Sequence, residues 1–245
     1  MNKRNELDAL IDIHRPSVVG IVEVKPKNQR FNDQECEIAL PGFESFHNLE
    51  SKGRGICLHI KSELNPSCKD VKTDFEECMF VDCKLSNSET WTIGFVYRSP
   101  SSSEDNNQNP NQLLRTVTEA KPQHLLVLGD FNFPEIDWDR ELSRASTNHP
   151  ASKFLTVFKD TYLIQHQRGP TRLRDGQHPT LDDLVLTNQQ DLVNKITTAS
   201  ALGKSDHATL LINIVCNHQK PKKPAQPNFL KADYSLMGED LDCVI

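Results

Sequence analysis

The chain lacks any long apolar run. Nowhere in its 245 residues do roughly eighteen apolar residues follow one another, the length a membrane-spanning helix needs. The first fourteen residues, MNKRNELDALIDIH, are charged and amphipathic, without the apolar core of a secretory leader. The expectation is a protein with no membrane span and no signal peptide, working inside the cell. The seven cysteines are odd in number and scattered, and no C-x-x-C pair occurs. That argues against a zinc finger or a disulfide framework. Cys57, Cys78 and Cys216 sit in apolar surroundings and read as buried thiols of a reducing compartment. An excess of basic residues is missing too: Lys and Arg number 28 against 34 Asp and Glu, a net charge of −6. Broad non-specific attraction to a polyanion is therefore not expected. An acidic site that recruits cations remains compatible with this charge. No internal repeat is visible.

What is present is enough for a core. Apolar residues make up 36%, and the length suits one large domain or two small ones. The stretch 124–138, HLLVLGDFNFPEIDW, stands out. Its first five residues are continuously apolar, as in a strand buried on both faces, and Gly129 then permits a sharp turn. Asp130 and Asn132 follow where the strand meets solvent; if the strand persists, their i, i+2 spacing puts both on one face. A carboxylate beside an amide suits water, cation or phosphate chemistry, and equally suits an Asx-turn that merely closes a strand.

Around this stretch, residues 1–14 read as a helix stopped by Pro16, and 17–24 as a strand with Glu23 near its end. In 55–61, Ile56, Leu58 and Ile60 alternate with Cys57 and His59, so His59 is expected to face solvent. Residues 78–85 and 90–97 form a hairpin whose second strand ends in Tyr97. The polar stretch after it, RSPSSSEDNNQNPN, has the composition of an exposed loop, with a helix ending over 113–120. Further elements are a helix over 153–160, a basic turn at 169–174, strands from Asp183 and Lys195, and a strand over 208–215 preceded by Asp206 and His207. Residues 217–227 are Lys- and Pro-rich and read as a linker. Strands without regular βαβ alternation favour two mixed sheets packed together and flanked by helices.

The polar residues at strand ends are Glu23, Tyr97, Asp130, Asn132, Asp183, Asp206 and His207. If those ends converge on one rim, carboxylates meet at close range and repel unless a cation offsets them. Hard oxygen ligands favour Mg²⁺ or Mn²⁺ over zinc.

The order of the segments SVVGIVE, GRGICLHIK, FVYRSP, LLVLGDFN, PTR, DLVLTN and KSDH resembles the endonuclease/exonuclease/phosphatase superfamily. More narrowly, IVEVKPKN, DLVLTN and the PNFLKADY tail are similar to the endonuclease domain of non-LTR (LINE-like) retrotransposon polyproteins. The resemblance implies a four-layer α/β/β/α sandwich over residues 1–216. It implies a region at 217–245 leading toward a reverse transcriptase. It also implies Mg²⁺- or Mn²⁺-dependent phosphodiester hydrolysis on DNA, in the nucleus when acting there. Glu23 matches the metal-binding Glu and Asp206 a further metal contact. Asp130 matches the residue that positions or deprotonates water, Asn132 the amide that fixes water or phosphate, and His207 the phosphate-contacting His. Asp183 matches the partner of that His, with Asp182 the alternative, and Tyr97 a phosphate-contacting phenol. In one respect the chain departs from the pattern: the family begins with a strand ending in Asn, ahead of a helix like residues 2–14. The expectation is that this strand and its Asn are absent and that activity suffers. The alternatives are a phosphatase or phosphodiesterase of the same fold acting on small esters, and a non-catalytic remnant.

Overall fold

A computed structural model describes residues 3–25, 39–49, 54–85, 88–100 and 103–216. The expected linker and tail over 217–245 lie outside these residues, as does most of the 26–40 segment. Helix α1 (Arg4–His14) buries Leu7 and ends at Arg15, which adopts the left-handed conformation just before Pro16. Strand β1 (Val18–Val22) pairs antiparallel with β3 (Ile56–Lys61), and β3 with β2 (Phe43–Asn48). This three-stranded sheet carries Ile56, Leu58 and Ile60 inward, as their alternation predicts.

The opposite face of β3 corrects an expectation. His59 is fully buried, not solvent-facing. Its Nδ1 lies 2.8 Å from the Ser45 hydroxyl and its Nε2 3.2 Å from the Cys57 thiol. Burial first, then the nearby charge of Arg4 and His47, lowers its pKa to about 4. Alternation identified the two faces of β3, but a strand pattern cannot say that its second face is covered as well.

The second sheet has six strands: β4 (Pro66–Lys69), β5 (Cys78–Lys84), β6 (Thr90–Tyr97), β7 (His124–Asp130), β10 (Ile164–Gln165) and β11 (Asp183–Thr187). Their order is β10-β11-β7-β6-β5-β4. All neighbours run antiparallel except β6 and β7, which are parallel and joined by α2 (Glu104–Glu119). This helix overturns the loop expected after Tyr97. The Ser103 hydroxyl accepts from the Asn106 N–H, capping the first turn, and Leu113, Leu114 and Val117 anchor the far end in the core. Composition missed the helix because its first half is polar and contains Pro110. Helix α3 (Pro150–Asp160) packs beside α2, burying Phe154, Leu155, Val157 and Phe158. A short hairpin, β8 (Ile136–Asp137) and β9 (Leu142–Ser143), lies against α3.

Two apolar cores result. One, with Leu113, Leu125, Val127 and Phe154, lies between the six-stranded sheet and α2 and α3. The other sets Ile56, Leu58 and Ile60 of β3 against Val81, Ile93, Phe95 and Leu126, and fills the space between the sheets. The layers are therefore α/β/β/α. The sheet facing the six-stranded one is not mixed: every pair in it is antiparallel. It is also divided, because β12 (Val193–Ala199) and β13 (Thr209–Ile214) form a separate two-stranded piece. Among the described residues nothing pairs with the second edge of β1 or of β13. A cavity of about 1510 Å³ is lined by both edges and by Ile93, Phe95 and Leu126 of the other sheet. Cys216, expected to be buried, is exposed just past the end of β13.

Candidate active site

The polar strand ends collect along this same cavity. It is lined by Glu23, Tyr97, Asp130, Asn132, Asp183, Asp206 and His207. Their arrangement starts from the close contact of β6 and β7. Gly129 has φ +139°, and a Cβ there would lie 1.8 Å from the Val96 carbonyl oxygen. Only glycine lets the two parallel strands approach so closely at the point where β7 ends. Asp130 follows, 3% exposed, and the strand stops. Asn132 turns into the left-handed region (φ 49°), so the two side chains do not share a strand face. Instead Asp130 Oδ1 accepts from the Asn132 N–H at 3.1 Å, which is an Asx-turn. The other carboxylate oxygen, Oδ2, lies toward His207.

Arg98, immediately after β6, fixes this turn. Its N–H donates to the Asp130 carbonyl, and its Nη1 donates to the carbonyls of Phe131 and Asn132 at 3.3 and 2.7 Å. Asn132 Nδ2 returns a bond to the Arg98 carbonyl. The guanidinium lies 4.2 Å over the Phe133 ring and also donates to Asn107. Sequence reading passed over Arg98; a basic residue directly following a buried apolar strand was the available signal.

Asp183 opens β11 directly opposite Asp130 in the antiparallel register. The hydroxyl of buried Thr171 accepts from the N–H groups of both Asp182 and Asp183, holding the entry to the strand. His207 lies between the carboxylates: Nδ1 is 2.8 Å from Asp183 Oδ2, and Nε2 is 3.9 Å from Asp130 Oδ2. Asp182 makes no bond to His207. It accepts from Thr180, sits 3.6 Å from Arg172, and leaves its buried Oδ1 without a partner. Burial opposes charge on the His207 ring. The hydrogen bond to Asp183 and the field of Asp183, Asp130 and Asp206 outweigh it and raise the pKa to about 9. Asp130 is pushed well above the usual carboxylate range, by burial first and by Asp183 second.

Asp130, Asp183 and His207 offer ligand atoms that all lie within 4.8 Å of one another. Glu23 and Asp206, the two residues expected to bind metal, are not part of this group. Asp206 Oδ2 is held by Arg172 at 3.1 Å and Arg174 at 3.5 Å. Burial works against its charge, yet Arg172 keeps its pKa below the usual value. Glu23 follows β1 in the left-handed conformation (φ 55°). Its Oε1 accepts from the Tyr97 hydroxyl at 2.7 Å, and its Oε2 pairs with Arg54 at 2.5 Å. Burial, then the Glu23 contact, raises the Tyr97 pKa and keeps the phenol protonated. Each expected metal carboxylate thus has an arginine for a counter-ion.

The donor set is two carboxylates, one of them nearly buried, and one imidazole. A divalent cation fits such a set. The chemistry available is that of a cation on the carboxylate oxygens, or of a water or phosphate oxygen beside Asp130, Asn132 and a protonated His207, since a protonated imidazole is no metal ligand.

Comparison with known proteins bears on the fold. Residues 91–211 match a family described as endonuclease-reverse transcriptase. Among solved structures, the endonuclease domain of TRAS1, a telomere-specific non-LTR retrotransposon, is 14% identical with a TM-score of 0.61, over 86% of this chain and 91% of that one. The AP endonuclease LMAP from Leishmania major is 13% identical with a TM-score of 0.64, over 86% and 82%. The Xenopus laevis APE2 catalytic domain is 15% identical with a TM-score of 0.58, over 88% and 90%. No curated protein matches the sequence. Over residues 91–211 the chain is therefore similar to the endonuclease-reverse transcriptase family, and its fold is similar to that of retrotransposon and AP endonuclease structures.

Proposed function

We propose that the chain is a divalent-cation-dependent DNA-nicking endonuclease domain of a LINE-like retrotransposon, joined to a reverse transcriptase in the whole element. The observation that carries this reading is the row Asp130–His207–Asp183, a buried carboxylate facing an imidazole whose other nitrogen is fixed by a second carboxylate. The TRAS1 and AP-endonuclease likenesses support DNA as the substrate, and the family description supports the fusion.

In this reading Asp130 takes the proton of the attacking water and Asn132 orients it. Asp183 fixes the orientation of His207 through Nδ1, and the charged ring donates from Nε2 to a non-bridging phosphate oxygen. Tyr97 keeps Glu23 in place with its single hydroxyl proton, and donates to the phosphate only when that proton turns away from Glu23. Glu23 and Asp206 are the residues assigned to Mg²⁺ or Mn²⁺, which supplies charge neutralisation at the phosphate when bound.

Conversion of supercoiled plasmid to the nicked form with Mg²⁺, and none with EDTA, is the direct test. Asp130→Ala or His207→Ala lowers the rate at least about 100-fold, the usual size of an acid–base contribution. Nicking that survives either change refutes the role assigned to that residue. Release of phosphate from small esters with no plasmid nicking would replace DNA by a small phosphoester.

A further inference from the structure

Glu23 is held in an unusual way. Its backbone is left-handed, a conformation that costs a non-glycine residue energy and is kept where the surroundings demand it. Of its two oxygens, Oε1 has the neutral Tyr97 hydroxyl and Oε2 has the Arg54 guanidinium. Arg54 is therefore the cation at this carboxylate.

The backbone at Arg54 and Gly55 is fixed from both sides. The Arg54 carbonyl accepts from the Lys25 N–H at 2.8 Å, and the Gly55 carbonyl from the Val24 N–H at 3.3 Å. Buried Glu77 accepts from the Gly55 N–H. Gly55 has φ +73°, and a Cβ there would meet Leu49, Lys25 and Val24 at 3.0–3.2 Å. The backbone of Arg54 is thus locked while its head is poorly satisfied. Nη2 reaches the Lys25 carbonyl only at 3.3 Å, and Nε is buried without a partner. A guanidinium has five donors, and among the described residues Glu23 is its one charged partner. Both side chains keep solvent access, 29% for Arg54 and 41% for Glu23, so water screens the pair and its net worth is small. It is placed to form and weak enough to exchange.

We infer that Arg54 is an exchangeable internal counter-ion for Glu23: guanidinium and divalent cation compete for the same carboxylate oxygen, and Arg54 thereby sets the cation affinity of the site. The inference rests on the reading of Glu23 as a cation ligand. When the cation takes Oε2, the Arg54 head leaves that oxygen while its backbone stays tied to Lys25. Tyr97 continues to hold Oε1. The exchange is a swap of one positive partner for another and needs no rearrangement of β1 or β3.

The experiment is Mn²⁺ binding to the full chain, by calorimetry, for the parent protein, Arg54→Gln, Arg54→Lys and Glu23→Gln. Circular dichroism checks that each variant is folded. Arg54→Gln is expected to bind Mn²⁺ about three- to fivefold more tightly, the range open to a half-exposed ion pair. Arg54→Lys, which keeps the charge, stays near the parent. In the parent, the Arg54 Nε–Hε resonance, assigned by its loss in Arg54→Gln, shifts on saturation with Mg²⁺. Unchanged or weaker Mn²⁺ binding by folded Arg54→Gln overturns the inference, as does an Arg54 resonance indifferent to Mg²⁺. Should Arg54→Gln not fold, the resonance is assigned through Arg54→Lys and decides alone. Glu23→Gln is expected to weaken binding at least tenfold. If it binds as the parent does, the assignment of Glu23 to the cation fails, and the exchange fails with it.

Discussion

The two sheets of this molecule contribute to the same site under opposite conditions. The six-stranded sheet is continuous, covered on one face by α2 and α3 and on the other by the facing layer. It delivers Tyr97, Asp130 and Asp183 from adjacent strand ends whose register is fixed by hydrogen bonds. The facing layer is divided, and the cavity separates its pieces. Glu23 comes from one piece and Asp206 and His207 from the other. Relative position within the continuous sheet is set by backbone pairing. Across the divided layer the ties are local: Tyr97 meets Glu23 and Asp183 meets His207 through side chains, while residues 206–208 are bonded by their main chain to 171–173. Half of this site is thus built into a ladder, while the other half is held by a few separate bonds.

The sharpest way to break the comparison is to damage the continuous sheet where it matters most. Gly129→Ala places a methyl group against the Val96 carbonyl at a φ of +139°. Steric overlap and backbone strain together should cost about 2–5 kcal/mol. For a chain of this size that is a fall in melting temperature of about 10 °C. A melting temperature within two or three degrees of the parent (about 1 kcal/mol on the same scale) would show that β6 and β7 can part at this point, and that the ladder is looser than described.

A second, smaller effect comes from repairing the divided layer. Lys3, at the start of α1, lies beside Gly203, close to Ser205–His207, so chain added before α1 would enter at the site end of the cavity. Joining about ten residues there, an apolar strand of about 5–6 ending in Asn and a turn, supplies partners for the edges of β1 and β13. The expected gain is at least about 5 °C in melting temperature, from main-chain bonds worth about 0.5–1.5 kcal/mol each and from covered apolar surface. Plasmid nicking should rise with it. No gain in melting temperature, measured by calorimetry on both proteins, would mean that the two edges do not accept a strand.

The smallest effect separates two histidines, one in each region. His207 is raised to about 9 by the carboxylates of the continuous sheet, and His59 is lowered to about 4 under the divided one. The His207 contribution is complete below its unfolded pKa of about 6.5 and is lost as pH climbs through 9. The His59 contribution is complete above about 6.5 and is lost as pH falls toward 4. Unfolding free energy measured against pH should therefore slope downward on both sides of about 6.5. Asp183→Asn flattens the alkaline side, moving the Asp130 titration with it, and His59→Gln flattens the acid side. A substitution that flattens the wrong side assigns the proton to another group.

How much of this was legible beforehand depended on whether a residue's role was local. The run 124–128, the glycine and the Asp–Asn pair announced β7 and its turn, and Asp206–His207 announced the start of β13. Local pattern also separated the faces of β3. What it could not supply was the identity of partners distant in sequence. Arg98, Arg54 and Arg172 were each visible as single basic residues, yet their value lies in the carbonyl or carboxylate each one meets, and only the fold brings these together. Helix α2 was hidden for a related reason: its apolar anchors occupy its second half, and the cap at Ser103 sits among residues of loop composition. His59 was misjudged because a residue's burial depends on what packs above it.

The parallel pairing of β6 and β7 has a consequence for the order in which the molecule assembles. Tyr97 and Asp130 are neighbours within one strand–helix–strand unit, and Asp130 meets Asp183 through the next sheet neighbour. The Tyr97–Asp130 contact closes a smaller loop than the Glu23–Tyr97 contact and is entropically cheaper to form first. Glu23 reaches Tyr97 across 74 residues, and its own sheet is completed by a strand beginning at Ile56. In a hydrogen-exchange experiment the amides of β6 and β7 should be the last to exchange and those of β1 and β13 among the first. The site would then be completed late and opened early, by the same two strands that border the cavity.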